Sequence, residues 1–108
     1  MKPSAVTRRQ SARTAVTTHA FVHCRGRFQH TKVIDYSPGG VQLGGTFGLN
    51  RTDPVEVELM SGTRLAGRVA WSVGERSGIT FSESLQETHP AMVELARRAV
   101  ATPGKLHR

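Results

Sequence analysis

Val55-Glu56-Val57-Glu58-Leu59 alternates apolar and acidic side chains without a break. Successive side chains of a strand point to opposite faces, so this stretch buries Val55, Val57 and Leu59 and leaves both glutamates in water. Ser61-Gly62 follows with hairpin-turn chemistry. Beyond it Leu65, Gly67, Val69, Trp71 and Val73 repeat the same period, opposed by Arg64, Arg68 and Ser72. The two runs read as an antiparallel hairpin that places Trp71 in the core.

Working outward, the same signals recur. Val16, Thr17, Thr18, Phe21 and Val22 give a β-branched and aromatic first strand over about 15–22, and Arg25-Gly26-Arg27 a turn. A second strand over about 28–36 ends at Ser37-Pro38-Gly39-Gly40, a cluster of turn formers. Val41 and Leu43 flank polar Gln42 in a short third strand. After the turn at 74–78, Ile79-Thr80-Phe81 closes the series, with Phe81 expected in the core. Six strands at regular spacing predict a mainly β chain, folded as an antiparallel barrel or sandwich.

The period then changes. Met92, Leu95, Ala96, Ala99 and Val100 fall at helical spacing, Thr88-His89-Pro90 supplies a capping region, and Arg97 and Arg98 suit a helix C-terminus. The expected organisation is an N-terminal arm over 1–7 and one folded domain over 8–101. Within the domain the barrel covers about 14–82 and the helix about 89–101, and 102–108 form a tail. A chain of 108 residues has room for one core.

Composition narrows the function. A single cysteine, Cys24, excludes an internal disulfide framework and suits a reducing cytoplasm. No apolar run approaches the ~20 residues that span a bilayer, and no apolar stretch follows the N-terminal basic residues as in a secretory signal. The expectation is a soluble cytoplasmic protein. The net charge of +7 is concentrated in residues 1–34, which carry Lys2, Arg8, Arg9, Arg13, Arg25, Arg27 and Lys32 and no acid. That third of the chain is the place to meet an anion: a phosphate-bearing molecule, a nucleic acid or an acidic protein surface.

Catalytic and metal patterns are missing from the sequence. His19, His23, Cys24 and His30 lie close together, but not at the ligand spacing of a structural zinc site. No nucleophile–base set or P-loop follows from local context, so neither enzyme activity, a metal nor a bound cofactor is expected.

Two motifs remain. Arg9-Gln10-Ser11-Ala12-Arg13 reads RxxxR, and Asp35-Tyr36-Ser37-Pro38-Gly39-Gly40 reads DxSxxG. Each is weak alone, since twelve arginines yield chance pairs and Asp, Ser and Gly shape ordinary turns, Gly40 by a positive φ. Together, with RxxxR before the first strand and DxSxxG after the second, the chain resembles the PilZ domain family of bacterial cyclic di-GMP receptors. Gly67-Arg68-Val69-Ala70-Trp71 and Gly78-Ile79-Thr80-Phe81 are similar to that family's fifth and sixth strands. The likeness covers about residues 8–82, and the C-terminal helix fits it as well.

The resemblance implies a six-stranded antiparallel β-barrel with one C-terminal α-helix. It also implies a ligand, cyclic di-GMP, bound as one molecule or an intercalated pair. Arg9 and Arg13 would be contacts from a segment that folds over the ligand, with Arg8 beside them. Asp35, Ser37 and Gly40 would form the platform. The residue types suit that ligand: an arginine fork grips phosphate or the guanine O6/N7 edge, and a carboxylate accepts from guanine N–H donors. A hydroxyl at Ser37 donates, and Gly40 would let backbone and ligand approach. Arg68 is a weaker candidate, projecting from a strand. Without a fused enzyme domain, signalling would pass to an unidentified downstream protein. The alternatives are an adapter of the same fold that binds a protein and no nucleotide, and a basic barrel that binds nucleic acid. The second is disfavoured because Phe21, Phe28, Tyr36 and Phe47 are expected to be taken up by strands rather than free to stack on bases.

Overall fold

The structure, a computed structural model, describes residues 12–100. Its strands are β1 (Thr14–Cys24), β2 (Arg27–Ser37), β3 (Gly40–Gly44), β4 (Pro54–Leu59), β5 (Arg64–Val73) and β6 (Arg76–Phe81), followed by helix α1 (Pro90–Ala96). They pair in the order β1-β2-β3-β6-β5-β4, every neighbouring pair is antiparallel, and β4 returns to β1 to close a barrel. Closure leaves no strand edge open to pair with another chain.

The alternation of β4 holds as expected: Val55, Val57 and Leu59 are buried, and Glu56 and Glu58 face outward towards Arg64 on β5, at 2.9 and 3.4 Å. The β1–β2 hairpin turns through Arg25 and Gly26, at φ 53° and 77°, the left-handed pair that matches strand twist. Val22, Leu43, Val57 and Val69 meet inside the barrel, all under 2% exposed. Burial of each such side chain contributes roughly 1.5–3 kcal/mol before entropy is subtracted. The last hairpin is tighter than the sequence predicts: β6 begins at Arg76, because Gly74, at φ 60°, and Glu75 suffice for the turn.

Helix α1 covers one end of the barrel with Ala91, Met92 and Leu95. Its start follows expectation, with Pro90 in the first turn and His89 Nδ1 accepting from the Ala91 N–H at 3.0 Å. It stops at Ala96, earlier than the expected position near 101. The reason is β1: the Thr17 N–H donates to the Arg98 carbonyl at 3.0 Å, and the Val100 N–H to the Ala15 carbonyl at 2.9 Å. Ala99 therefore bridges to Val16 instead of continuing a helical face. Among the described residues, no helix is long and apolar enough to cross a membrane.

The other end is closed by the β3–β4 connection, which buries Leu49 and Thr46. Asp53 ties that connection down, accepting from the Asn50 N–H at 2.9 Å and from the Arg25 guanidinium. The Asn50 amide and then the Arg25 fork hold its carboxyl below the usual carboxylate range, while burial pushes the neighbouring Cys24 thiol up. A depressed carboxyl stabilises the fold above its unfolded pKa, and that contribution disappears as pH falls through the folded value. Asp53→Asn should therefore flatten the acid limb of the stability curve. Denaturant midpoints measured from pH 7 down to about 3 should fall less steeply in the variant than in the wild type, and parallel curves would count against the assignment.

Candidate functional site

Register explains how the motif residues come to share a surface. On β2, Val33 faces inward, so strict alternation would also turn Asp35 inward. Pairing with β3 advances two residues on β2, from Val33 to Asp35, for one on β3, from Leu43 to Gln42. The extra residue, Ile34, is a bulge that returns Asp35 to the outer face. The same device operates across the site on β5. There Val69 pairs with Ile79 and Trp71 with Gly78, so Ala70 is the extra residue. That bulge reverses the expected burial of Trp71, which is 40% exposed.

Asp35, Gln42, Gly78 and Trp71 consequently lie in one cross-strand row over β2, β3, β6 and β5. Ser37, Gly40, Thr80 and Arg68 form the next row. Gly78 is the floor for the indole: a Cβ there would fall 2.2 Å from Trp71 Nε1 and 2.6 Å from Cε2. For Gly40 the structure overturns the expected turn-forming φ and adds a packing reason. Its φ is not positive, and a Cβ would meet the Ile79 carbonyl oxygen at 2.2 Å. Its missing side chain lets β3 and β6 pair.

Arg13, just before β1, reaches across to this surface. Its Nε donates to Asp35 Oδ1 at 2.5 Å and its Nη1 lies 3.4 Å from Ser37 Oγ. Gln42 Nε2 donates to Asp35 Oδ2 at 2.8 Å, and Arg76 Nη1 lies 3.4 Å from Gln42 Oε1. Ser37 Oγ also accepts from the Gly39 N–H at 3.3 Å, fixing the turn. Arg13, Ser37, Gly39 and Gln42 line an open cleft of about 410 Å³ together with Gly40, Trp71 and Thr80, and Asp35 stands behind Arg13 and Gln42 as their hydrogen-bond partner. A cation fork, an aromatic face, hydroxyl groups and a carboxylate bonded to the fork describe a site for a planar, anionic, hydrogen-bonding molecule.

The model of the PilZ domain family matches residues 7–98 of this sequence. The chain belongs to the PilZ domain family. Among solved structures it is similar to the crystal structure of the PilZ domain of CeSA from a cellulose synthesizing bacterium. The TM-score is 0.62 at 17% identity, over 79% of this chain and 94% of that one. At that identity the likeness speaks for the fold. No curated protein matches the chain.

Within this PilZ domain, the structure brings Arg13, Asp35, Ser37 and Gly40 together, while Arg8 and Arg9 lie outside the described residues. Arg68, weaker on sequence grounds, stands exposed at the end of the Ser37 row. Gln42 and Trp71 were not among the expected site residues. The alternation Val41-Gln42-Leu43 already points Gln42 outward, so it was findable beside DxSxxG; the bulge that exposes Trp71 leaves no such mark. Phe81 is buried as expected. Phe28 and Phe47, expected to be taken up by strands, are 65% and 63% exposed. Phe28 extends a ladder of rings on the outer face of β1 and β2, in which His19 stacks on His30 with centroids 4.8 Å apart. His23 turns to Glu58 at 2.8 Å, and Cys24 is buried.

Proposed function

We propose that this PilZ domain is a receptor for cyclic di-GMP, bound on the outer face of β2, β3, β6 and β5. The observation that carries the reading is the convergence of Arg13, Ser37 and Trp71 on one open cleft, with Asp35 hydrogen-bonded to Arg13. A guanine base stacks on the exposed indole, held flat by the glycine floor at position 78. The Arg13 fork takes a phosphate or the O6/N7 edge, joined by Arg8 and Arg9 from the preceding segment. Asp35 has already committed one lone pair of each oxygen, to Arg13 and to Gln42, and an ionised carboxylate offers about four acceptor sites. It therefore aims Arg13 while still accepting from guanine N–H groups. Ser37 donates, and Gly40 keeps the floor continuous.

Magnitudes separate positioning from stability. Arg13 is 41% exposed in its pair with Asp35, and exposed pairs contribute about 0–1 kcal/mol. The pair can exchange for ligand contacts at little cost. Ordering of the chain before β1 over the ligand then changes the surface offered to a downstream protein, which is how the signal leaves the domain.

Trp71 is the sole tryptophan of the chain, so its fluorescence reports on the proposed contact directly. Titration with cyclic di-GMP should quench it saturably. Trp71→Ala, followed by calorimetry, should weaken binding by roughly 1–3 kcal/mol, the usual worth of a base–aromatic stack. A folded wild-type protein with neither quenching nor heat would overturn the receptor reading and favour a protein-binding adapter.

A further inference from the structure

Beside the Trp71 cleft, and sharing Ala70 and Thr80 with it, lies a second depression of about 640 Å³. Arg51 and Arg68 line it with the hydroxyl-bearing residues Thr52, Thr80 and Ser82, and its lining includes no carboxylate. Among the described residues, the ion pairs of the chain engage Arg13, Arg25, Arg64 and His23, and neither Arg51 nor Arg68. Two uncompensated guanidinium groups on one concave wall raise the local potential and favour an anion.

The wall is built. Thr52 is a β-branched residue at φ 74°, a backbone state such residues rarely occupy. It is held there because its N–H donates to the Val69 carbonyl at 2.7 Å while the Val69 N–H donates to the Asp53 carbonyl at 3.0 Å. In this posture the Thr52 carbonyl accepts from Arg68 Nη1 at 3.0 Å and fixes where that fork stands. Arg68 also continues the row of Ser37, Gly40 and Thr80 across the sheet. The positive wall is thus an extension of the motif surface, on the far side of the Ala70 bulge.

We infer that Arg51 and Arg68 form a second phosphate subsite, receiving a phosphodiester group next to the Trp71 cleft. As a site for part of the cyclic di-GMP assembly, it rests on the receptor reading; as an anion site it stands on its own residues. The phosphodiester is either the second one of a single bound molecule or that of a second molecule packed against the first.

Two experiments test it separately from that reading. In a low-salt amide NMR titration with inorganic pyrophosphate, the Thr52, Arg68, Thr80 and Ser82 signals should shift saturably. The shifts should be lost in the double variant Arg51→Ala/Arg68→Ala, whose fold the remaining spectrum checks. Absent shifts, or shifts that survive the double substitution, would overturn the subsite. In calorimetry with cyclic di-GMP, the double variant should bind roughly tenfold to a hundredfold more weakly, the scale of lost charge-assisted hydrogen bonds. Weaker binding at unchanged stoichiometry identifies the phosphodiester of one molecule, and a stoichiometry falling from two to one identifies a second molecule. If affinity and stoichiometry both hold, the subsite is refuted while the receptor stands. If the wild type ignores cyclic di-GMP yet shows the pyrophosphate shifts, the receptor reading fails and the anion site remains.

Discussion

Arg13→Ala should lower affinity for cyclic di-GMP about a hundredfold or more while leaving the barrel intact. The guanidinium stands against Asp35 and Ser37, and Arg13 lines the cleft. A charge-assisted hydrogen bond is worth about 1.5–3 kcal/mol, and a bidentate grip makes two. The loss should therefore reach roughly 3 kcal/mol, or about two decades in Kd. Stability should barely respond, because an exposed pair contributes at most about 1 kcal/mol, a few degrees in Tm for a domain this size. Arg13→Lys sharpens the test: lysine keeps the charge and lacks the fork, so most of the loss should remain. Wild-type affinity in both variants would remove Arg13 from the site.

Gly40→Ala should cause the largest loss of stability. A methyl group at that position falls 2.2 Å from the Ile79 carbonyl oxygen and 3.3 Å from its carbon. Both are backbone atoms of the neighbouring strand, so no rotamer change relieves the clash and β3 must move away from β6. Overpacking of this kind costs about 3 kcal/mol, a large share of the 5–15 kcal/mol that holds a domain together. Tm should fall by about 12 °C or more. Gly78→Ala is the informative contrast. Its methyl group would meet the Trp71 indole at 2.2 Å, a side chain that can swing aside. That variant should melt close to the wild type and lose the flat stacking surface, which altered Trp71 fluorescence and weaker ligand binding would reveal. If both glycine variants melt alike, the division between a structural and a ligand-facing glycine is wrong.

The route from residues to cleft was partly legible. The alternations at 55–59 and 65–69, the turn clusters and the capping of α1 follow from local chemistry and appear where expected. The association of RxxxR with DxSxxG pointed to one surface, on which Arg13, Asp35 and Ser37 do meet. The departures share a cause. A period of two carried past Val69 puts Trp71 in the core, and an apolar helical period carries α1 past Ala96 along residues that β1 draws into extended pairing.

By itself, the sequence determined that this chain makes six strands and a helix, which side chains are available to bind an anion, and where the turns fall. These depend on φ/ψ preferences and side-chain alternation within a few residues. Only the tertiary structure decided which face Asp35 and Trp71 occupy. Each sits two residues beyond an inward-facing valine and would be buried under simple alternation. Each is turned outward by one extra residue that the neighbouring strand does not match. A bulge is a mismatch in count between two paired strands, set by closure of the barrel, and neither strand carries it alone.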